Sequence, residues 1–172
     1  MQRMIEQMLT LTRAQEGRYP VMMEKISLSD VLEGVQTVIE PIAAQKEIAV
    51  HFECDGNIEL TADQSLITQM LLNLIENAVK YGRTGGDIRV RIQRQENNAQ
   101  IIVSDNGIGI SEENLPHIFD RFFRADTARD RSGTGLGLSI VQWIVALHSG
   151  NIQAESTLSV GTKFTIILPI KL

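Results

Sequence analysis

Gly133, Gly135 and Gly137 alternate in the run SGTGLGLS, immediately before a stretch with helical apolar spacing. Glycine lets a backbone come close to a ligand, and the start of a helix presents unpaired N–H groups and positive potential. Together they make an anion site, most naturally for phosphates; the plainer alternative is a flexible loop entering a helix. Two other phosphate loops are excluded. No Gly-Lys-Ser/Thr triplet opens a helix, and the sixth position counted from Gly133 is Leu138, where the dinucleotide fingerprint needs glycine. A second set of polar groups is Asn73, Asn77 and Lys80. Residues four apart on a helix point the same way. Amide oxygens are hard ligands suited to Mg²⁺, and a lysine beside them can hold a phosphate as a point charge. A solvated helix face is the alternative, but asparagine is a poor helix former and two of them are an odd choice for solvation alone. The third group is Asp105, at the end of an alternating strand. Asp105-Asn106-Gly107 can signal a hairpin turn; functionally, the carboxylate can accept a hydrogen bond from an adenine amino group and repel a guanine carbonyl.

These groups need elements to hold them. Met1, Met4, Ile5, Met8, Leu9 and Leu11 recur at helical spacing, which predicts a helix over 1–16 stopped at Gly17. It either caps its own domain or belongs to a bundle whose partner helix lies elsewhere. Pro20 falls in a short linker. Ser29-Asp30 can cap a helix to about Ala44. Ile48, Val50 and Phe52 alternate as a strand, and a short strand at Ile58–Leu60 precedes Asp63, a cap for a helix over 64–81. That helix carries Ile67, Leu71, Leu74 and Ala78 on one stripe and the Asn73–Asn77–Lys80 set on another. Alternating strands follow at Ile88–Ile92 and Ile101–Val103. Some thirty residues after Asp105 then lose all periodicity, a length typical of a functional lid. A helix over Gly137–Leu147 and strands near 151–156 and 162–168 close the pattern. Strands needing one covered face, and three helices to cover it, predict a two-layer α/β sandwich with a mixed sheet, plus the N-terminal helix.

The bulk numbers narrow the choice. At 172 residues, 43% hydrophobic and 22% charged, the chain can build a core of its own. A net charge of −5 with no basic stripe argues against nucleic-acid binding. Cys54 is the single cysteine and has no internal disulfide partner. No apolar run of about 18 residues is present, which argues against membrane contact and for a cytoplasmic chain, with any membrane anchor lying in a larger parent protein.

In this order the motifs resemble those of the ATP-binding catalytic domain of bacterial sensor histidine kinases. NLIENAVKY (73–81) is similar to the family's N box, DNGIGI (105–110) to the first glycine box, FDRFFR (119–124) to the F box and GTGLGLSIV (133–141) to the second glycine box. GTKFTIILP (161–169) resembles the strand that closes the nucleotide site. The resemblance covers about 24–172 and implies the GHKL-type (Bergerat) fold, with ATP and Mg²⁺ as cofactors. It implies a Mg²⁺ ligand in Asn77, with Asn73 and Lys80 near the phosphates and Tyr81 near adenine or ribose. It implies that Asp105 reads the adenine amine in a pocket shaped by Gly107, Gly109 and Thr162, and that Arg124 approaches the terminal phosphates. Residues 125–132 would be the ATP lid, and Gly133, Gly135 and Gly137 would line the triphosphate. Ile110, Phe122, Thr134 and Leu136 fall in the same motifs and would join the ATP site, while Glu76 joins Asn73, Asn77, Lys80 and Arg124 as a catalytic candidate.

The resemblance extends to domain organisation. Residues 1–18 are similar to the end of the second helix of the kinase dimerisation domain, 19–25 form a linker, and 26–172 form the catalytic domain. The implied partners are the chain's own dimerisation and phosphoacceptor domain, absent here, and a response-regulator receiver domain reached through a homodimeric parent kinase. His51, His117 and His148 are followed by Phe52, Ile118 and Ser149, so none fits the phosphoacceptor pattern of a histidine followed by an acidic residue. The implied reaction is phosphoryl transfer from Mg·ATP to a histidine elsewhere. Alternatives are an ATPase of the same fold class, a sigma-factor-binding serine kinase, and a non-catalytic ATP-binding module. The related ATPases carry a glutamate to activate water where this chain has Asn73, which cannot act as a base. Glu76 lies about 60° around the helix from that position.

Overall fold

The computed structural model describes residues 19–124 and 133–170, together with residues 5, 8–10, 12–13 and 17 of the N-terminal segment. Residues 5, 8–10 and 12–13 are helical, and Gly17 turns with φ +63°. The remainder of the expected first helix lies outside the described residues, as does the expected lid at 125–132.

The expected two-layer sandwich is the observed one. Among the described residues after the N-terminal segment, seven strands and three α-helices run in the order β1 (Glu24–Ser27), α1 (Leu28–Ala44), β2 (Ala49–Cys54), β3 (Glu59–Ala62), α2 (Gln64–Tyr81), β4 (Asp87–Gln95), β5 (Asn98–Asp105), α3 (Gly137–Leu147), β6 (Asn151–Thr157) and β7 (Gly161–Pro169). Five strands form one sheet in the order β2-β4-β5-β7-β6, with β2 and β4 parallel and every other pair antiparallel. β1 and β3 form a separate antiparallel pair. Strand period two puts Ile88, Val90, Ile92, Ile101, Val103, Phe164, Ile166 and Leu168 on the buried face. The helices lie across that face, with α2 packed between α1 and α3. From α2, Ile67, Leu71 and Leu74 are fully buried and Ala78 nearly so, as the stripe predicted.

Three local differences have physical reasons. The cap of α1 is Ser27 rather than Ser29-Asp30: its Oγ accepts from the Asp30 N–H at 3.4 Å, because the chain arrives extended in β1. β1 itself begins inside the expected linker at 19–25, and it was hidden because only four residues pair. The rest of that segment is tied down as well. Tyr19 packs edge-on against Trp143 with ring centroids 5.2 Å apart, and the Met22 N–H donates to Asp63 Oδ2 at 2.9 Å.

Asp63 joins the starts and ends of two helices. Its Oδ1 caps α2 by accepting from the Leu66 N–H at 3.0 Å, as predicted. Its own N–H donates to His148 Nε2 at 3.1 Å, and His148 Nδ1 reaches the Ile144 carbonyl at 2.8 Å. A carbonyl only accepts, so Nδ1 carries the proton and Nε2 is the acceptor: His148 is a neutral, buried tie between α3 and α2. Replacing His148 by leucine keeps roughly the same volume but orphans the buried Asp63 N–H, while the Ile144 carbonyl still accepts from the backbone N–H at 148. The expected loss is about 2 kcal/mol of folding stability, read by urea denaturation.

Candidate functional site

The polar stripe of α2 ends at the mouth of a cleft of about 230 Å³. The last turn of that helix is held from outside. Lys46 Nζ donates to the carbonyls of Val79 at 3.1 Å and Lys80 at 2.9 Å, and the Ile108 N–H donates to the Tyr81 carbonyl at 3.1 Å. A cation and an N–H thus take up carbonyls the helix end would leave unpaired. With the backbone fixed, Asn77, Lys80 and Tyr81 line the cleft. Lys80 Nζ also lies 4.9 Å from the centroid of the Tyr81 ring.

Asp105 lines the same cleft, paired in register with Thr162 of β7. Asp105-Asn106-Gly107 is not a hairpin turn. β5 ends there, and the chain passes across the end of α2 as a strap, with Asn106 Oδ1 accepting from the Asp87 N–H at 2.8 Å. Burial pushes the Asp105 carboxyl above the usual carboxylate range, while backbone N–H groups of Gly107 and Thr162 pull it back down. The Gly107 N–H lies 2.8 Å from Oδ1. The strap can pass this closely only at glycine: Gly109 has φ +69°, and a Cβ there would stand 2.1 Å from the Thr157 carbonyl oxygen.

The glycine run closes the third side. Gly133, Gly135, Gly137 and Leu138 line the cleft where α3 begins, and no side chain caps that helix start. Its first N–H groups therefore remain oriented for an anion. A Cβ at Gly133 would lie 2.5 Å from Lys80 Nζ, so the ammonium group sits directly against the loop. Cation and helix terminus together concentrate positive potential where the glycine run meets the cleft.

Of the other expected site residues, Gly109, Ile110, Arg124 and Thr162 line the cleft, and Gly107 lies beneath Asp105. Asn73 is buried away from the opening, its Nδ2 donating to the Gly137 carbonyl at 3.4 Å, so its observed contact joins α2 to the start of α3. Glu76, Phe122, Thr134 and Leu136 are not among the lining residues. Thr134 Oγ1 accepts from the Leu136 N–H at 3.2 Å, and the Leu136 side chain is fully buried in the core. Phe122 is exposed at φ +62°, its N–H donating to the Gly135 carbonyl at 2.9 Å. The apolar walls were not foreseen. Ile108, Ile118, Phe123, Leu158 and Phe164 supply them, from the strap, the segment 118–123 and the β6–β7 hairpin. The Phe119-Phe122-Phe123 cluster was the one visible signal, and its Phe119 does pack edge-on against Phe164, centroids 6.4 Å apart.

The family described as "Histidine kinase-, DNA gyrase B-, and HSP90-like ATPase" matches residues 62–172. The chain is 33% identical over 168 residues to the sensor-like histidine kinase SenX3 of Mycobacterium tuberculosis, covering 96% of this chain and 41% of that protein. It is 36% identical over 175 residues to the sensor protein RprX of Bacteroides fragilis, covering 96% of this chain and 33% of that protein. The chain thus spans less than half the length of these relatives. Among solved structures, the catalytic domain of histidine kinase ThkA, in a nucleotide-free form, superposes with a TM-score of 0.77 at 28% identity, over 87% of this chain and 96% of that one.

Proposed function

Because the chain belongs to the histidine kinase-, DNA gyrase B- and HSP90-like ATPase family and has the fold of a histidine kinase catalytic domain, we propose that its cleft binds Mg·ATP and presents the γ-phosphoryl group to a histidine on a separate dimerisation domain. One observation carries this reading: a carboxyl, an amide, a lysine and an uncapped glycine-rich helix start converge on one cleft.

Each group has a task that follows from its place. Asp105 accepts from the adenine amino group, and the apolar walls take the faces of the base. Lys80 and the N–H groups at the start of α3 hold the phosphate oxygens. Arg124, at the same opening, is placed to offset charge on the terminal phosphate. The donor set suits Mg²⁺: among the described residues no group of three His, Cys, Asp or Glu could hold a metal, whereas Asn77 offers one hard oxygen beside the phosphate end. Mg²⁺ keeps waters and substrate phosphates in its shell and needs few protein ligands. When bound, it supplies charge neutralisation. Phosphoryl transfer depends mainly on such positioning and neutralisation, so the chain needs no base of its own if the acceptor is an imidazole nitrogen.

Residues 1–18 fit the end of a dimerisation-domain helix, since Ile5, Met8 and Leu9 are helical, apolar and exposed. The parent protein would be a homodimer that hands its phosphoryl group to a receiver domain. No helix among the described residues is long and apolar enough to cross a membrane. The acceptor must come from elsewhere. His148 is buried, His51 pairs with Asp87 at 2.8 Å and His117 with Asp120 at 2.9 Å. The test is transfer of labelled γ-phosphate. The chain alone should stay unlabelled, and a separately supplied dimerisation domain of the parent kinase should gain an acid-labile label. Labelling of the chain alone, or steady ATP hydrolysis with no transfer, would overturn the proposal.

A further inference from the structure

Ser156 of β6 faces Thr162 of β7 across the hairpin, and three hydrogen bonds meet at its hydroxyl. The Ile110 N–H donates to Ser156 Oγ at 2.8 Å. The Gly161 carbonyl oxygen lies 2.8 Å from Oγ, and Thr162 Oγ1 lies 2.9 Å from it. A hydroxyl has one proton and two lone pairs, and a carbonyl can only accept. The Ser156 proton is therefore directed to Gly161. Its two lone pairs receive the Ile110 N–H and, by elimination, the Thr162 hydroxyl proton. Thr162 is buried but lines the cleft beside Asp105. With its proton turned to Ser156, it offers the cleft lone pairs only. An ionised Asp105 also only accepts, so this end of the cleft carries two side-chain acceptors and no side-chain donor between them.

We propose that Ser156 is a specificity-determining positioning residue: by fixing the Thr162 hydroxyl proton away from the cleft, it makes the base-reading wall select purines with an amino group at position 6 over those with a carbonyl. Ser156 acts through Thr162 and needs no contact with the nucleotide. The inference rests on the Mg·ATP reading of the cleft. Without Ser156, the Thr162 hydroxyl can rotate and donate to a carbonyl at position 6, so discrimination falls; the Ile110 N–H also loses its acceptor, a change that acts on both nucleotides alike and leaves their ratio to report on Thr162.

The experiment compares Mg·ATP with Mg·ITP, which replaces the 6-amino group by a carbonyl without adding bulk elsewhere. Affinities are measured by calorimetry for the wild type, Ser156→Ala, Thr162→Val and the double variant. The wild type should prefer ATP, and Ser156→Ala should reduce that preference about tenfold, the scale of one hydrogen bond. In the Thr162→Val background, which has no hydroxyl to rotate, Ser156→Ala should leave the ratio unchanged. Equal weakening of both nucleotides by Ser156→Ala, or the same shift of ratio with and without the Thr162 hydroxyl, would overturn the proposal and leave the nucleotide reading standing. A folded wild type that binds neither nucleotide would overturn that reading itself. If Ser156→Ala does not fold, Thr162→Val alone decides. Loss of an acceptor should lower affinity for ATP and spare ITP, and an unchanged ratio contradicts the proposal.

Discussion

Replacing Asn77 by alanine should reduce phosphoryl transfer to the dimerisation domain by about 10²- to 10³-fold, the cost of removing one positioned group that stabilises transition-state charge. Asn77 lines the cleft from the C-terminal part of α2, and its amide is the one hard side-chain oxygen of the Asn73–Asn77–Lys80 stripe that reaches the cleft. Alanine favours helix, so the fold should be unaffected. The expected pattern is a large fall in the transfer rate, loss of the gain in nucleotide affinity that Mg²⁺ gives the wild type, and an unchanged unfolding midpoint. Transfer at the wild-type rate would remove Asn77 from the account. Asn73→Ala should behave differently. It breaks the contact with the Gly137 carbonyl at the start of α3, so stability should fall together with activity.

The second large effect belongs to Asp105. Exchange for asparagine should weaken ATP binding by about 100-fold or more, because a site built to pair one polar partner loses heavily when that partner is changed. Asparagine can still accept one of the two backbone N–H groups, from Gly107 or Thr162, but its NH₂ then meets donors where the carboxylate met them as an acceptor. The same residue sets a pH dependence. The adenine amine needs an ionised acceptor, and burial raises the Asp105 pKa. ATP affinity should therefore fall as pH drops through that raised value, before ordinary surface carboxyls protonate. For the empty fold the sign is opposite: a carboxyl whose pKa is higher folded than unfolded contributes stability at low pH and loses it as pH rises through the folded value. Calorimetric titration across the acidic range checks both. The wild type should lose affinity on acidification, and Asp105→Asn should show a shallower dependence. Parallel curves would assign the titration to another group.

Much of the sheet and the helix set could be read from period alone. Ile88-Val90-Ile92 alternate and are buried, and the bounds of α2 and α3 follow from Asp63 and from the glycine run. β1 escaped notice because four residues carry little periodicity and pair with β3 across more than thirty positions. At the site, the groups with distinctive chemistry were visible because their types and spacing are unusual: Asn77, Lys80, Asp105 and the three glycines. The apolar walls were not, since Ile108, Ile118 and Leu158 look like any core residues until the chain brings three separate segments to one cleft. Ser156 was hidden for a similar reason. A serine in an alternating strand has no signal of its own, and its role comes from facing Thr162 across a hairpin whose register the sequence does not state.

A crystal of the protein with Mg²⁺ and a non-hydrolysable ATP analogue tests most directly whether a nucleotide lies between α2 and the glycine run. The expected result is the adenine amino group within hydrogen-bond distance of Asp105 and the phosphates between Lys80, Gly133 and the start of α3. A well-ordered crystal at saturating analogue in which that cleft holds no nucleotide, or holds it with the base turned away from Asp105, would contradict it.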